Sequence, residues 1–169
     1  LRYLLDSNTY IQAKNFYYSM SFCPAYWEWL DLQYTNGHIA SISSVYDELY
    51  QSQNGDELSD WVRDRREQFV SVEDDATQQK YAEIVQHTYN LDNKNPNKVD
   101  MFLSKADPWL IAKACVIGAK IVTHEKTVPL ESKDVKIPNI CNAFDVACIS
   151  TFQLLQELNA QFILQVDGN

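Results

Sequence analysis

The sequence predicts an α/β fold in three layers, with helices on both faces of a central, mainly parallel sheet of four to five strands. Two observations predict it. Short apolar runs alternate with stretches of helical periodicity, the order expected when each parallel strand is returned by a crossover helix. The pattern from Ala106 to Gly118 is apolar on most sides, as a helix is when other layers cover it.

Taken in order, Arg2 to Leu5 is a short buried strand, and Asp6-Ser7-Asn8-Thr9 then supplies helix-capping chemistry, leaving a carboxylate at the apex of a strand-to-helix turn. Pro24 opens a helix in which Tyr26, Trp27, Leu30 and Tyr34 recur at helical spacing until Asn36-Gly37 stops it. His38 to Ile42 is the second strand. Ser44 caps the next helix with Asp47 three residues on, which puts Glu48 in its first or second turn. Asp56 to Tyr89 is polar and helical with a break near Phe69 to Val72, and Asn90 to Asn97 is a loop, so residues 50–105 form a helical insertion or arm. In the apolar helix, Asp107 is the cap, Pro108 the first helical residue and Gly118 the stop. Lys120 to Thr123 is the third strand and ends at His124-Glu125. Val135 to Ile140 is a last strand or extended segment, and Phe152 to Gln161 a closing helix.

The 169 residues suit one domain spanning 1–169, because two cores of half that size would each lie near the limit of self-supporting stability. Apolar residues at 46% and only four Gly argue for a packed chain rather than a disordered one. Lys113 and Lys120 interrupt the greasiest stretch, far short of the roughly 20 residues that cross a bilayer. The first residues reach Asp6 too soon for a signal peptide, so the expected location is cytoplasmic. Cys23, Cys115, Cys141 and Cys148 form no Cys-x-x-Cys pair and lie in apolar surroundings, which argues for reduced, buried thiols and against zinc. The net charge of -9 argues against a broad basic face for long nucleic acid, but it leaves room for a cutter whose bound cations attract phosphate.

Asp6, Glu48 and Glu125 each follow a strand, and Asp107 heads the buried helix. In an open parallel sheet the carboxyl ends of the strands meet at a switch in strand order, so these groups can converge. Converging carboxylates repel unless a cation neutralises them, and hard oxygen ligands favour Mg²⁺ or Mn²⁺. Such an ion activates water for attack on a phosphodiester.

Leu4-Leu5-Asp6-Ser7-Asn8, Ser43-x-Val45-Tyr46-x-Glu48-Leu49, Ala106-Asp107-Pro108-x-Leu110-Ile111-Ala112-x-Ala114 and Val122-Thr123-x-Glu125 resemble, in order, the four signature segments of the PIN-domain nucleases. The likeness is especially to the toxins of toxin–antitoxin pairs. It implies a three-layer PIN-like fold and a Mg²⁺- or Mn²⁺-dependent endoribonuclease, with an RNA substrate, an antitoxin partner and a homodimer. Asp6, Glu48 and Asp107 match the family's acidic positions, and Glu125 stands where Asp is common. Ser7, Asn8 and Thr123 would orient the carboxylates or the metal's waters. A non-catalytic PIN-like binding module is the alternative. A phosphatase of the haloacid-dehalogenase type needs a second Asp two residues after the first, where this chain has Asn8.

Other residues carry competing readings. Asp145, near the end of the expected last strand, is either a substitute fourth ligand or a turn residue. Asp47 is a cap. Arg63, Arg65 and Arg66 either touch a phosphate backbone or line a solvated helix face. Lys105 and Lys113 flank the expected site. Phe16, Tyr17 and Tyr18, with Tyr26, Trp27 and Trp29, either pack the core or form a surface for bases or a partner peptide.

Overall fold

The structure is a computed structural model that describes residues 1–52 and 55–163; residues 53–54 and 164–169, part of the expected 1–169 domain, lie outside the described residues. Tyr3–Leu5 (β1) is buried at every position, as a strand covered on both faces must be. It leads into Ser7–Gln12 (α1), which widens into a π-helical turn, Ala13–Tyr17. Pro24–Thr35 (α2) ends at Asn36, and Gly37 at φ 70° turns the chain into Ile39–Ile42 (β2). Ser43–Ser52 (α3) takes over from β2 without a loop, so Ser44 lies inside the helix and the expected capping box with Asp47 does not form.

The stretch expected as a helical insertion carries Glu57–Arg63 (α4), a 3₁₀ turn at Arg66–Gln68, the strand Phe69–Val70 (β3), Asp75–Tyr89 (α5) and Pro96–Leu103 (α6). It is therefore not purely helical: its break is an edge strand that pairs with β2 through Ser41↔Phe69 and Ile42↔Val70. Asp56, Asp74 and Asn95 cap the three helices by accepting backbone N–H bonds.

Asp107–Ile117 (α7) and Lys120–Val122 (β4) follow as expected. The segment expected as a last strand is instead the helix Ile137–Ala143 (α8), because Pro138 lacks an N–H and its fixed φ suits a first helical turn. The last strand is Cys148–Ile149 (β5), and the closing helix, Thr151–Glu157 (α9), begins with a Ser150–Gln153 capping box.

The strands form one sheet in the order β3-β2-β1-β4-β5, every pair parallel, with Leu4 registered between Ala40 and Ile121. Right-handed crossovers put the connections from β1 to β3 on one face and those from β3 to β5 on the other. The contacts agree: α3 packs on α1 and α4, while α7 packs on α5, α6 and α8. Leu110, Ile111 and Ala112 of α7 are fully buried on β1, β2 and β4. Each such Leu or Ile stabilises the fold by about 1.5–3 kcal/mol. The four cysteines are free thiols, and among the described residues no helix is long and apolar enough to cross a membrane.

Candidate active site

The direction of the chain's crossovers reverses at β1, and a crevice opens there at the carboxyl ends of the strands. Asp6 is the first residue past β1. Its N–H donates to the Val122 carbonyl of β4 at 3.0 Å, and the Thr9 hydroxyl donates to that same carbonyl, which pins the turn. The Asp6 side chain is 1% exposed. It sits at the N-cap position of α1 without capping it; Oδ2 accepts from Thr123 Oγ1 at 3.0 Å instead.

Glu48 arrives from the second turn of α3. Its Oε2 accepts from the Ser7 hydroxyl, and its Oε1 accepts from the backbone N–H of Ala106 at 2.7 Å. Asp107 heads α7 but is not the expected cap: Ala106 is already helical and takes the cap position, so Asp107 falls in the first turn. A carboxylate there faces the positive end of the helix dipole. Asp6, Ser7, Asn8, Glu48, Lys105 and Asp107 together line an open cavity of about 470 Å³.

The electrostatics follow from this crowding. Burial pushes the Asp107 carboxyl up to about 8, reinforced by the charges of Asp6, Glu125 and Glu48 and opposed by Lys105. Burial likewise raises Asp6 to about 6, with the Thr123 hydrogen bond pulling down and Glu125 and Glu48 pushing up. Among the described residues no hydrogen bond or ion pair reaches the Asp107 carboxylate, and no three His, Cys, Asp or Glu groups are tight enough to grip one metal ion as they stand.

Glu125 is close enough to add its field but lines a neighbouring cavity. Its Oε2 accepts from the Ile137 N–H at 2.8 Å and its Oε1 pairs with Lys136 at 3.2 Å, so this carboxylate is directed to the start of α8. Asp145 is corrected: it precedes β5, at φ 56°, and lies by Gly118 and Lys120 at the opposite, amino end of the sheet. The turn reading holds there.

Lys105 lines the cavity, whereas Lys113 is tied to Asp74 at 2.6 Å. Arg63 pairs with Asp60 and Asp64, Arg65 with Asp31, and Arg66 lies over the Tyr46 ring. These arginines are thus engaged within the protein, as on a solvated face. Tyr26, Trp27 and Trp29 are core, while Phe16 and Tyr17 are exposed. The Ala106 N–H that fixes Glu48 carried no signal in the sequence, since every residue but proline offers the same group.

Known proteins bear on the whole chain. The crystal structure of VapBC2 from Rickettsia felis bound to a DNA fragment from their promoter contains a chain with a TM-score of 0.55 to this one. The match covers 89% of this chain and 98% of that one at 17% sequence identity, and it shows a shared, PIN-like fold. No curated protein matches. A family described as "Domain of unknown function (DUF4411)" matches residues 3–162, so this chain belongs to the DUF4411 family.

Proposed function

We propose that the protein is a Mg²⁺- or Mn²⁺-dependent endoribonuclease that hydrolyses RNA phosphodiester bonds as the toxin of a toxin–antitoxin pair. The observation that carries this reading is the gathering of Asp6, Glu48 and Asp107, from three separate crossovers, around one open cavity with Lys105 at its wall. Carboxylates kept this close raise one another's proton affinity, and a divalent cation relieves that repulsion. The donors are hard oxygens, which suits Mg²⁺ or Mn²⁺.

Bound there, the cation would supply a water acidified for attack and charge stabilisation at the phosphate. The chain's own residues do the positioning. Thr123 and Ser7 hold Asp6 and Glu48 in orientation, Lys105 meets the phosphate, and Glu125, tied to Lys136, contributes through its field and through water. An antitoxin that covers the cavity would silence it, a partner suggested by the similarity in fold to a chain of the VapBC2 complex. A homodimer and a cytoplasmic location complete this reading.

A second reading, a non-catalytic binding module, draws on the hydrogen bonds that already occupy both oxygens of Glu48 and one of Asp6. Cleavage of a mixed structured and single-stranded RNA pool, with Mg²⁺, Mn²⁺ or chelator, decides between them. Metal-dependent cutting should fall in Asp6→Asn by more than about 100-fold, beyond the loss usual for a group that only orients a ligand. A folded wild type that neither cuts nor binds Mn²⁺ would give the answer to the binding module.

A further inference from the structure

A second cavity, of about 580 Å³, opens beside the acidic one. Thr123 forms part of its wall and donates to Asp6 at the same time, so the two spaces adjoin at the end of β4. Its volume lies within the roughly 300–1,000 Å³ of small-molecule sites. The lining is of a different kind from that of the acidic cavity. Tyr17 from the π-helical turn, His124 from the end of β4 and Phe152 from α9 bring three rings together.

Tyr17 and His124 lie nearly parallel, 22° apart, with centroids separated by 6.2 Å, and Phe152 meets Tyr17 edge-on at 5.4 Å. The stacked pair Tyr81 and Trp109, by contrast, has centroids only 3.6 Å apart, so Tyr17 and His124 do not close on each other. Tyr17 is 47% exposed and Phe152 46%. Rings of this size left half-uncovered side by side are surfaces for something planar and apolar. Thr151 Oγ1 bonds His124 Nε2 at 3.0 Å and fixes that ring in place.

The remaining lining identifies the ligand. The Gln12 amide and the NH₂ of Gln153, whose oxygen is held in the capping box of α9, can read polar edges, and exposed Lys126 supplies a cation for a phosphodiester. The one carboxylate in the wall among the described residues, Glu125, is compensated by Lys136. We infer that this cavity stacks an unpaired base of the RNA strand, the base flanking the phosphate presented to the acidic cleft. The ligand's identity rests on the nuclease reading. Bases bind aromatic platforms whatever their sequence because each has a π-face, and a duplex cannot offer one without being opened.

The test is fluorescence-anisotropy titration of labelled, unstructured RNA oligonucleotides in chelator, where nothing is cut, alongside cleavage assays in Mn²⁺. Tyr17→Ala and Phe152→Ala should each weaken binding about 10-fold, and Tyr17→Phe, which keeps the ring, should bind as the wild type does. An abasic nucleotide moved along the strand should find one position whose penalty vanishes in Tyr17→Ala, the non-additivity expected of a direct contact. Unchanged melting temperatures would show that these half-exposed substitutions leave the fold intact.

Undiminished affinity in Tyr17→Ala overturns the inference, as does a wild type that binds no strand. Loss of a bound protein partner in Tyr17→Ala, with RNA affinity unchanged, assigns the cavity to a peptide and also overturns it. Tyr17-dependent binding without any cleavage sinks the nuclease reading while the base site stands; cleavage indifferent to Tyr17 does the reverse.

Discussion

Asp107 concentrates the unfavourable charge of the cleft, standing in the fields of Asp6, Glu125 and Glu48 with Lys105 opposing them. Its pKa of about 8 and that of Asp6, about 6, both exceed the roughly 3.9 of an unfolded aspartate. The folded state therefore binds more protons across that window, and this contribution to stability is present at low pH and lost as pH rises through the folded values. Without metal, the melting temperature should fall between about pH 5 and pH 8. Asp107→Asn should flatten the fall and be the more stable protein near pH 8, by on the order of 2 kcal/mol. Equal slopes for variant and wild type would contradict this electrostatic account. The places of Asp6, Glu48 and Asp107 were legible in the sequence because each follows a strand or heads a helix at the same end of the sheet. The aim of Glu125 was not, because the Ile137 N–H and Lys136 that turn it are 12 and 11 residues away across a loop.

At the scale of elements, pattern length decided what could be read. β1, β2 and α7 announce themselves because each is a mostly apolar stretch with a punctuating residue after it, Asp6, Ser43 or Gly118. β3 and β5 are two residues each, too short to show any period, and α8 was hidden by apolar residues that suit strand and helix alike. Gly118 ends α7 at φ 68° with open space where a Cβ would stand, so a substitution there meets backbone strain and no clash. Gly118→Ala should lower stability by about 1–2 kcal/mol in urea unfolding. Lying at the far end of α7 from Asp107, it should leave RNA cleavage at the wild-type rate. A variant as stable as the parent would mean that the helix can end without a left-handed residue.

Across the whole molecule, a net charge of -9 and a cleft of mutually repelling carboxylates make divalent cations a stabilising component of the nuclease reading. Mn²⁺ should raise the melting temperature more near pH 8 than near pH 6, since protons compete for the same oxygens at the lower pH. Saturation at about 100 times the dissociation constant corresponds to about 2.7 kcal/mol. A shift independent of pH, or one kept by Asp6→Asn, would place the ion elsewhere. The two-residue outer strands have a different consequence, for assembly. An exposed sheet edge is a template on which another chain can polymerise, and long flat edges invite it. β3 and β5 expose too little ladder to seed such growth. A chain approaching either edge would thus find two residues of ladder to pair with, and most of the surface on offer is helical faces and side chains.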